Sequence, residues 1–394
     1  MTCYEDLVYR GLIKDMTNNE DFIEKLNKGG MTFYIGTDPT ADSLHLGHLS
    51  SFLICERLAR YNHHPIVLVG GATGLIGDPR PTKERDKKSE DEIFKNVEGI
   101  KNQLSKYFPN CKMVNNYDWT KDVTLIDFLR DIGKHFNVPY MLNKDIVRRR
   151  LDEGISYTEF SYQLMQAFDF LHLYESENCI MQVAGQDQWG NITSGIDLIR
   201  KKLGKDAYAF TMPLVTTKSG VKFGKSEGNA IWLDSDKTSS FEMYQYLVNS
   251  EDEMVIDYLK KFTFLSKEEI DKLEESKNTK PELREAGKAL AYEVVKFLHG
   301  ETEAIKAKET SEKIFSGEIT SDMPTINISN TSKNILDIMV SSDIVQSKSE
   351  ARRLVEQGGV SIDKEKILDP KYIVEKSEFV LQKGKKKIIK VVIN

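Results

Sequence analysis

The chain has 394 residues, of which 40% are hydrophobic and 29% charged; this length predicts two or three domains and enough apolar material for a sizeable core. Its 55 Lys and Arg stand against 61 Asp and Glu, a net charge of −6, so any nucleic-acid contact has to rest on local basic patches. Cys3, Cys55, Cys111 and Cys179 are far apart and form no Cys-x-x-Cys pair, which argues against a zinc site or a disulfide framework and fits a reducing cytoplasm.

No apolar run follows a basic start, so no signal peptide is expected, and no stretch reaches the length of a membrane span. Up to about residue 220, short apolar runs alternate with helical patterns. Residues 32–36 and 65–70 read as buried strands closing on glycine. Residues 49–61, apolar at Phe52, Leu53, Leu58 and Ala59, read as the helix between them. Strand, helix and strand make a βαβ unit, and its repetition predicts an α/β parallel sheet. Residues 179–184 form a further strand, 194–203 the next helix, and 213–215 a strand end. From about 230 to 320 the chain is rich in Glu, Lys, Leu and Ala and reads as helical, with Ser266 and Glu269 as a capping box. Residues 321–332, polar and holding Pro324, read as a linker. In 333–394, segments 334–340 and 348–357 read as short helices, Gly358 and Gly359 stop the second, and strands follow at 360–363 and after a hairpin turn within 384–393. This last region carries 13 Lys/Arg against 9 Asp/Glu, a net of +4 that leaves −10 for the rest.

Residues 39–48 read PTADSLHLGH, between a strand and a helix. His45 and His48 are three apart and share the first helical turn. Unpaired backbone N–H groups and the positive helix end favour phosphate there, and Gly47 leaves room for a nucleotide to press on the backbone. Taken alone, a His-x-x-His is as often a chance pair or half of a metal site, although no third ligand is obvious. Residues 222–226 read KFGKS, a glycine-rich loop whose Lys222 and Lys225 could close over a triphosphate late in the reaction. A solvated lysine loop is the bland alternative, and the Walker phosphate-loop pattern is absent. Tyr162, Gln166 and Asp169, spaced four and then three, share one helical face. Asp187 and Gln188 follow Gly185 at a strand end, where an open α/β sheet binds ligands, although a turn-forming Asp is also reasonable. Gly70 to Gly74 (GGATG) reads as a tight turn. Lys83 and Arg85 follow in a polar loop that either folds over pyrophosphate or stays solvated.

Together, the histidine pair and the distant lysine loop resemble the two signatures of class I aminoacyl-tRNA synthetases, usually His-Ile-Gly-His and Lys-Met-Ser-Lys-Ser. Leu46, Phe223 and Gly224 depart from those forms in the manner of the tyrosyl branch. YIGTDPT (34–40), GGATGLIGDP (70–79), EFSYQLMQAFDFL (159–171) and GQDQWGNI (185–192) are similar to segments of bacterial-type tyrosyl-tRNA synthetases. The C-terminal region resembles an S4-type RNA-binding domain. The resemblance implies a Rossmann-like catalytic domain (1–221), a helical domain with the lysine loop (222–320), the linker (321–332) and an S4-like α+β domain (333–394). It implies ATP as a substrate, with Mg²⁺ accompanying it, L-tyrosine and tRNA(Tyr) as partners, and a homodimer with its interface within 115–150. It assigns the substrate ammonium to Tyr162, Gln166 and Asp78, and the phenolic hydroxyl to Tyr34 and Asp169. Gln188 lies near the reacting carboxylate. Gly36, Asp38, Pro39, Gly47, His48, Asp187 and Lys225 bind ATP, with Asp187 on the ribose. Thr40, His45 and His48 hold the phosphates, and Lys222, Lys225 and Ser226 the leaving pyrophosphate. Gln186 departs from the small residue expected there, which bears on the shape of the ribose pocket. Arg352, Arg353, Lys383, Lys385, Lys386, Lys387 and Lys390 are candidate tRNA phosphate contacts, each weighed against a solvated basic tail.

Three rivals remain on sequence alone. Another adenylyl transferase of the same superfold would lack the tyrosine pocket and the S4-like tail. Tyr34 with Asp169 argues against the tryptophanyl branch, and the intact His45, His48, Lys222 and Lys225 argue against a non-catalytic RNA-binding relative.

Overall fold

Five parallel strands and one antiparallel edge strand organise the N-terminal part of the computed structural model, which describes residues 1–17, 20–79, 88–152, 154–226, 229–316, 325–328, 333–384 and 387–393. The strands are β1 (Asp15–Met16), β2 (Thr32–Thr37), β3 (His64–Val69), β4 (Lys112–Asn115), β5 (Cys179–Gly185) and β6 (Tyr208–Met212). Their order is β1-β6-β5-β2-β3-β4, with only β1 antiparallel to its neighbour. The apolar runs of β3 and β6 are buried almost throughout, as a sheet covered on both faces requires.

From β2 the chain crosses through the helix Leu46–Ala59 to β3 on one side. From β5 it crosses through the helix Trp189–Leu203 to β6 on the other. The strand order therefore reverses between β2 and β5. In such sheets the crevice beyond the carboxyl ends of the two strands is the natural ligand site. The long helix Tyr157–Glu177, capped by the Ser156 hydroxyl and ended by Asn178 in the left-handed region, packs Ala167, Phe170, Leu171 and Leu173 into a core with Tyr34, Ile66, Leu68, Leu198 and Ile199. That packing turns its polar residues toward the crevice.

Contacts divide the chain into two units: Met1–Lys237 with Lys260–Ser266, and Thr238–Leu259 with Lys267–Asn394. The paired lysines of 222–226 thus fall in the first unit rather than with the helices that follow, and that unit also holds the short antiparallel pair β7 (Lys225–Ser226) and β8 (Asn229–Ala230). Within that unit, Arg10 and Arg57 bind carbonyls of the 260–266 segment: Arg10 to Thr263 at 3.2 Å and Leu265 at 2.7 Å, Arg57 to Thr263 at 2.8 Å. Asp6, buried beside both guanidinium groups, forms an ion pair with each of them.

The second unit holds the helices Ser240–Val248, Glu285–His299 and Glu301–Ser316 and a five-stranded sheet. The strands of that sheet are β9 (Thr325–Ile328), β10 (Val360–Ile362), β11 (Glu365–Lys366), β12 (Glu378–Lys383) and β13 (Lys387–Ile393), in the order β11-β10-β12-β13-β9. The helices Ile335–Ser341 and Lys348–Glu356 cover it, sharing a core of Ile335, Ile338, Met339, Val355, Phe379, Leu381 and Val391. Segment 321–332 is not wholly a linker: Thr325–Ile328 pairs parallel with β13 along its full length. The alternation of Ile326 and Ile328 with polar residues is the period-two pattern of a half-buried edge strand.

Candidate active site

Beyond the ends of β2 and β5 lies a cleft of about 370 Å³. It is lined by Tyr34, Gly36, Asp38, Thr40, His45, Gly47, His48, Asp78, Tyr162, Gln166, Asp169, Asp187, Gln188 and Lys222, so most residues singled out from the sequence converge on it. A second hollow of about 430 Å³, lined by His135, Tyr140 and Arg200 among others, holds none of them. Pro39 does not line the cleft; its carbonyl accepts from Asn96 at 3.0 Å. Lys225 and Ser226 are described by backbone alone, as a short strand β7 paired with Asn229–Ala230. Lys83, Arg85, Lys385 and Lys386 lie outside the described residues, and Lys387 is described by backbone alone.

The deep end is aromatic and acidic. Asp169 is buried and accepts from Asn116 Nδ2 and Trp119 Nε1, both at 2.9 Å. Those neutral donors only partly offset burial, which pushes its carboxyl up to about 7. Tyr34, 2% exposed, has a hydroxyl with no hydrogen-bond partner. Burial first and the charge of Asp169 second hold its phenol well above the ordinary range. A buried hydroxyl left unpaired costs roughly 1–3 kcal/mol, so this end calls for a guest that brings a hydroxyl. The Gln182 carbonyl oxygen, also buried in the wall, is likewise unpartnered.

Midway, Tyr162 donates its hydroxyl to Asp38 Oδ2 at 3.0 Å, and Thr73 donates to Asp38 Oδ1 at 2.8 Å. Asp38, read from the sequence as an ATP residue, is thus tied within the cleft wall to Tyr162 and Thr73. Its charge helps raise the phenol of Tyr162, after burial. Asp78 accepts from Gln188 Nε2 at 2.8 Å and Asn191 Nδ2 at 3.2 Å. Burial and the nearby Asp38 push its carboxyl up to about 6 despite these donors. Asp38 raises the carboxyls of both Asp78 and Asp169, so the three acids make an acidic wall. The glycine turn serves that wall: a Cβ on Gly70 would stand 2.2 Å from Thr73 Oγ1 and 2.4 Å from Asp38 Oδ1.

At the open end, His45 caps the helix Leu46–Ala59, and its Nδ1 accepts from Gly47 N at 3.1 Å. His48 Nδ1 accepts from His45 N at 3.3 Å, and the two rings stack at 3.9 Å. With both Nδ1 atoms accepting, the ring proton of each neutral imidazole sits on Nε2. The expected row of unpaired amides is not there. Leu46 N donates to Ile231 O at 2.7 Å, Gly47 N to His45 Nδ1, and His48 N to His45 O at 2.8 Å. The donors available to phosphate are therefore side chains. Gly47 also fits its surroundings differently from the expectation: a Cβ there would meet the Phe223 carbonyl at 2.8 Å, and a Cβ on Gly224 would meet Gly47 N at 2.5 Å. The two signature segments pack backbone to backbone.

Sequence reasoning missed Asn116, Trp119, Thr73, Asn191 and Gln182. Thr73 and Asn191 fall inside quoted segments and were overlooked there; the others act only through contacts that folding creates. In the second unit, Arg352 and Arg353 are exposed on the helix Lys348–Glu356. Lys383 and Lys390 are not loose surface cations. Lys383 is bound to Glu350 at 3.0 Å and the Ile344 carbonyl at 3.3 Å, and Lys390 to Glu378 at 2.7 Å.

The comparisons with known proteins agree with this geometry. A family model described as class I tRNA synthetases (W and Y) matches residues 26–316, and one described as the tyrosine–tRNA ligase SYY-like C-terminal domain matches 316–391. The chain is similar to a C-terminally truncated mitochondrial tyrosyl-tRNA synthetase of Aspergillus nidulans, at 33% identity over 80% of this chain and 94% of that one, with a TM-score of 0.73. The corresponding Coccidioides posadasii structure matches at 32% identity over 78% and 91%, with a TM-score of 0.70. A tyrosyl-tRNA synthetase of Archaeoglobus fulgidus shares the fold at 17% identity, 78% and 100% coverage and a TM-score of 0.55.

Proposed function

The chain belongs to the class I tRNA synthetases of the tryptophan and tyrosine family, and from that premise we propose how its cleft divides the work of a tyrosine–tRNA ligase. The activity has two steps. The carboxylate of L-tyrosine attacks the α-phosphorus of ATP and pyrophosphate leaves. The 3′-terminal adenosine of tRNA(Tyr) then attacks the resulting carbonyl through a ribose hydroxyl, and AMP leaves.

One observation carries the assignment of the deep end: the unpartnered Tyr34 hydroxyl beside the charge of buried Asp169. A para-hydroxyl there donates to Asp169 and accepts from Tyr34. The ammonium rests among Asp78, Gln166 and the oxygen of Tyr162, whose proton is already committed to Asp38. This leaves the substrate carboxylate near Gln188. The nucleophile is ionised at neutral pH, so no general base is required and catalysis is positioning plus charge stabilisation. Nε2–H of His45 and of His48, with Thr40, donates to the phosphate oxygens as charge builds. Lys222, Lys225 and Ser226 take the departing pyrophosphate, and Asp187 the ribose. Mg²⁺ takes oxygen ligands and keeps several waters. In this reading Mg²⁺ arrives with the ATP phosphates; no group of three His, Cys, Asp or Glu able to hold a metal stands among the described residues.

Arg352 and Arg353, with the lysines at 385–387, would meet tRNA phosphates in an S4-like manner. Exposed Leu125, Ile126, Leu129, Val138 and Tyr140 support a homodimer through 115–150. Four free cysteines suit the cytoplasm.

Single-turnover kinetics test the division of labour. Lys222→Ala and Lys225→Ala should each slow adenylate formation by about 10²-fold while tyrosine affinity in calorimetry stays within about twofold. Unchanged rates would remove the lysines from the reaction.

A further inference from the structure

Segment 44–46, which leads into the histidine helix, runs antiparallel to 231–233, just after the lysine loop. Leu46 N donates to Ile231 O at 2.7 Å and Leu233 N to Leu44 O at 2.9 Å, with His45 and Trp232 directly opposed. Both strands of this clasp are braced: Gln103 Oε1 accepts from Leu44 N at 2.8 Å, and Tyr107 OH donates to Leu233 O at 2.6 Å. The Trp232 and His45 rings stand edge to face, centroids 6.3 Å apart and planes 66° apart. Such a pairing lets the positive edge of one ring meet the negative face of the other. Lys237 Nζ lies 5.2 Å from the centre of the indole and is itself ion-paired with Asp42.

His45 therefore sits between a stacked His48 ring and the Trp232 indole, on a helix start where Gly47 offers no side chain to brace it. We propose that Trp232, locked in place by the Lys237–Asp42 pair, is a positioning residue that fixes the plane of the His45 imidazole and so aims its Nε2–H at the phosphate being attacked. This rests on the role given to His45 above. Trp232 meets the His45 ring and is not among the residues lining the cleft, so its loss should act on the phosphate hydrogen bond in the transition state rather than on tyrosine binding. A misplacement of about 1 Å in a catalytic group costs on the order of 10²-fold in rate.

The test is a double-mutant cycle on single-turnover adenylate formation, with tyrosine affinity and thermal melting measured on each variant. Trp232→Leu should slow the step about 10- to 100-fold at unaltered tyrosine affinity, and Trp232→Phe, which keeps an aromatic edge, should recover most of the rate. Lys237→Met should slow it less, in the same direction. In a His45→Asn background, both changes should have almost no further effect. If Trp232→Leu leaves the rate intact, or costs the same factor on top of His45→Asn, Trp232 does not act through His45 and the inference falls while the role of His45 stands. If His45→Asn alone is without effect, the role of His45 falls and the inference with it. Should Trp232→Leu fail to fold, Lys237→Met carries the same cycle, and a full-sized further loss on top of His45→Asn would overturn the inference.

Discussion

Asp169 combines burial with two neutral donors and, among the described residues, no cation that lowers its carboxyl, and the consequence is a pH-dependent cost of folding. Its carboxyl is raised to about 7 and that of Asp78 to about 6, in both cases chiefly by burial. A folded-state pKa above the unfolded value means that the folded protein holds the proton more tightly. The stabilising effect is complete below about pH 4, where both states are protonated, and is lost as pH rises through about 6 and then about 7. The unliganded protein should therefore lose stability between about pH 4 and 7, and Asp169→Asn should lose distinctly less over the same range in urea titrations. Parallel pH curves for the two proteins would mean that Asp169 is not the titrating group. Bound tyrosine, bringing an ammonium and a hydroxyl, should flatten the wild-type curve too. The acids and phenols of this pocket were legible from spacing on one helix and from the resemblance. Asn116 and Trp119 were not, because they reach Asp169 across 53 and 50 residues of sequence and carry no local pattern.

At the scale of elements, the strand–helix–strand rhythm around 32–70 was readable, and the structure extends it only at the edges: the predicted helix at 49–61 begins at Leu46. That shift matters, because it makes His45 the cap and explains why the backbone amides there are already committed. The relation between the two signature segments was not readable, since Gly47 and Gly224 lie far apart in sequence. Gly224 sits at a φ of +86°, and a Cβ on it would overlap Gly47 N at 2.5 Å. Gly224→Ala must therefore push the lysine loop off the histidine helix. The expected result is a loss of adenylate formation of about 10²-fold with tyrosine affinity held, measured by rapid quench and calorimetry. A variant as fast as wild type would show that this contact is dispensable. The strand Thr325–Ile328 was missed for a different reason: Pro324 and the polar residues around it outweighed two isoleucines at alternate positions.

For the whole molecule, the proposed function assigns the cleft to the acidic remainder and tRNA phosphates to the basic tail, in line with the charge split seen in the sequence. Because β9 belongs to the last sheet, a deletion meant to test that division has to begin before residue 325. Removing 317–394 should spare ATP–pyrophosphate exchange within about threefold and cut tRNA charging by at least about 10²-fold. Phe241 and Ile314, which pack with Val380 and Ile388, would be uncovered, so a lower melting temperature is expected as well. Equal loss of both reactions would contradict separable functions.

In the proposed function, the buried end of the cleft inspects an aromatic guest for a para-oxygen while the stacked imidazoles of His45 and His48 hold ATP. The most direct measurement is ATP–pyrophosphate exchange driven by tyrosine, phenylalanine and tryptophan, in wild type and Tyr34→Phe. Tyrosine alone should support efficient exchange, and Tyr34→Phe should narrow its advantage over phenylalanine by about tenfold or more. Comparable exchange with phenylalanine in the wild type, or an advantage untouched by Tyr34→Phe, would contradict it.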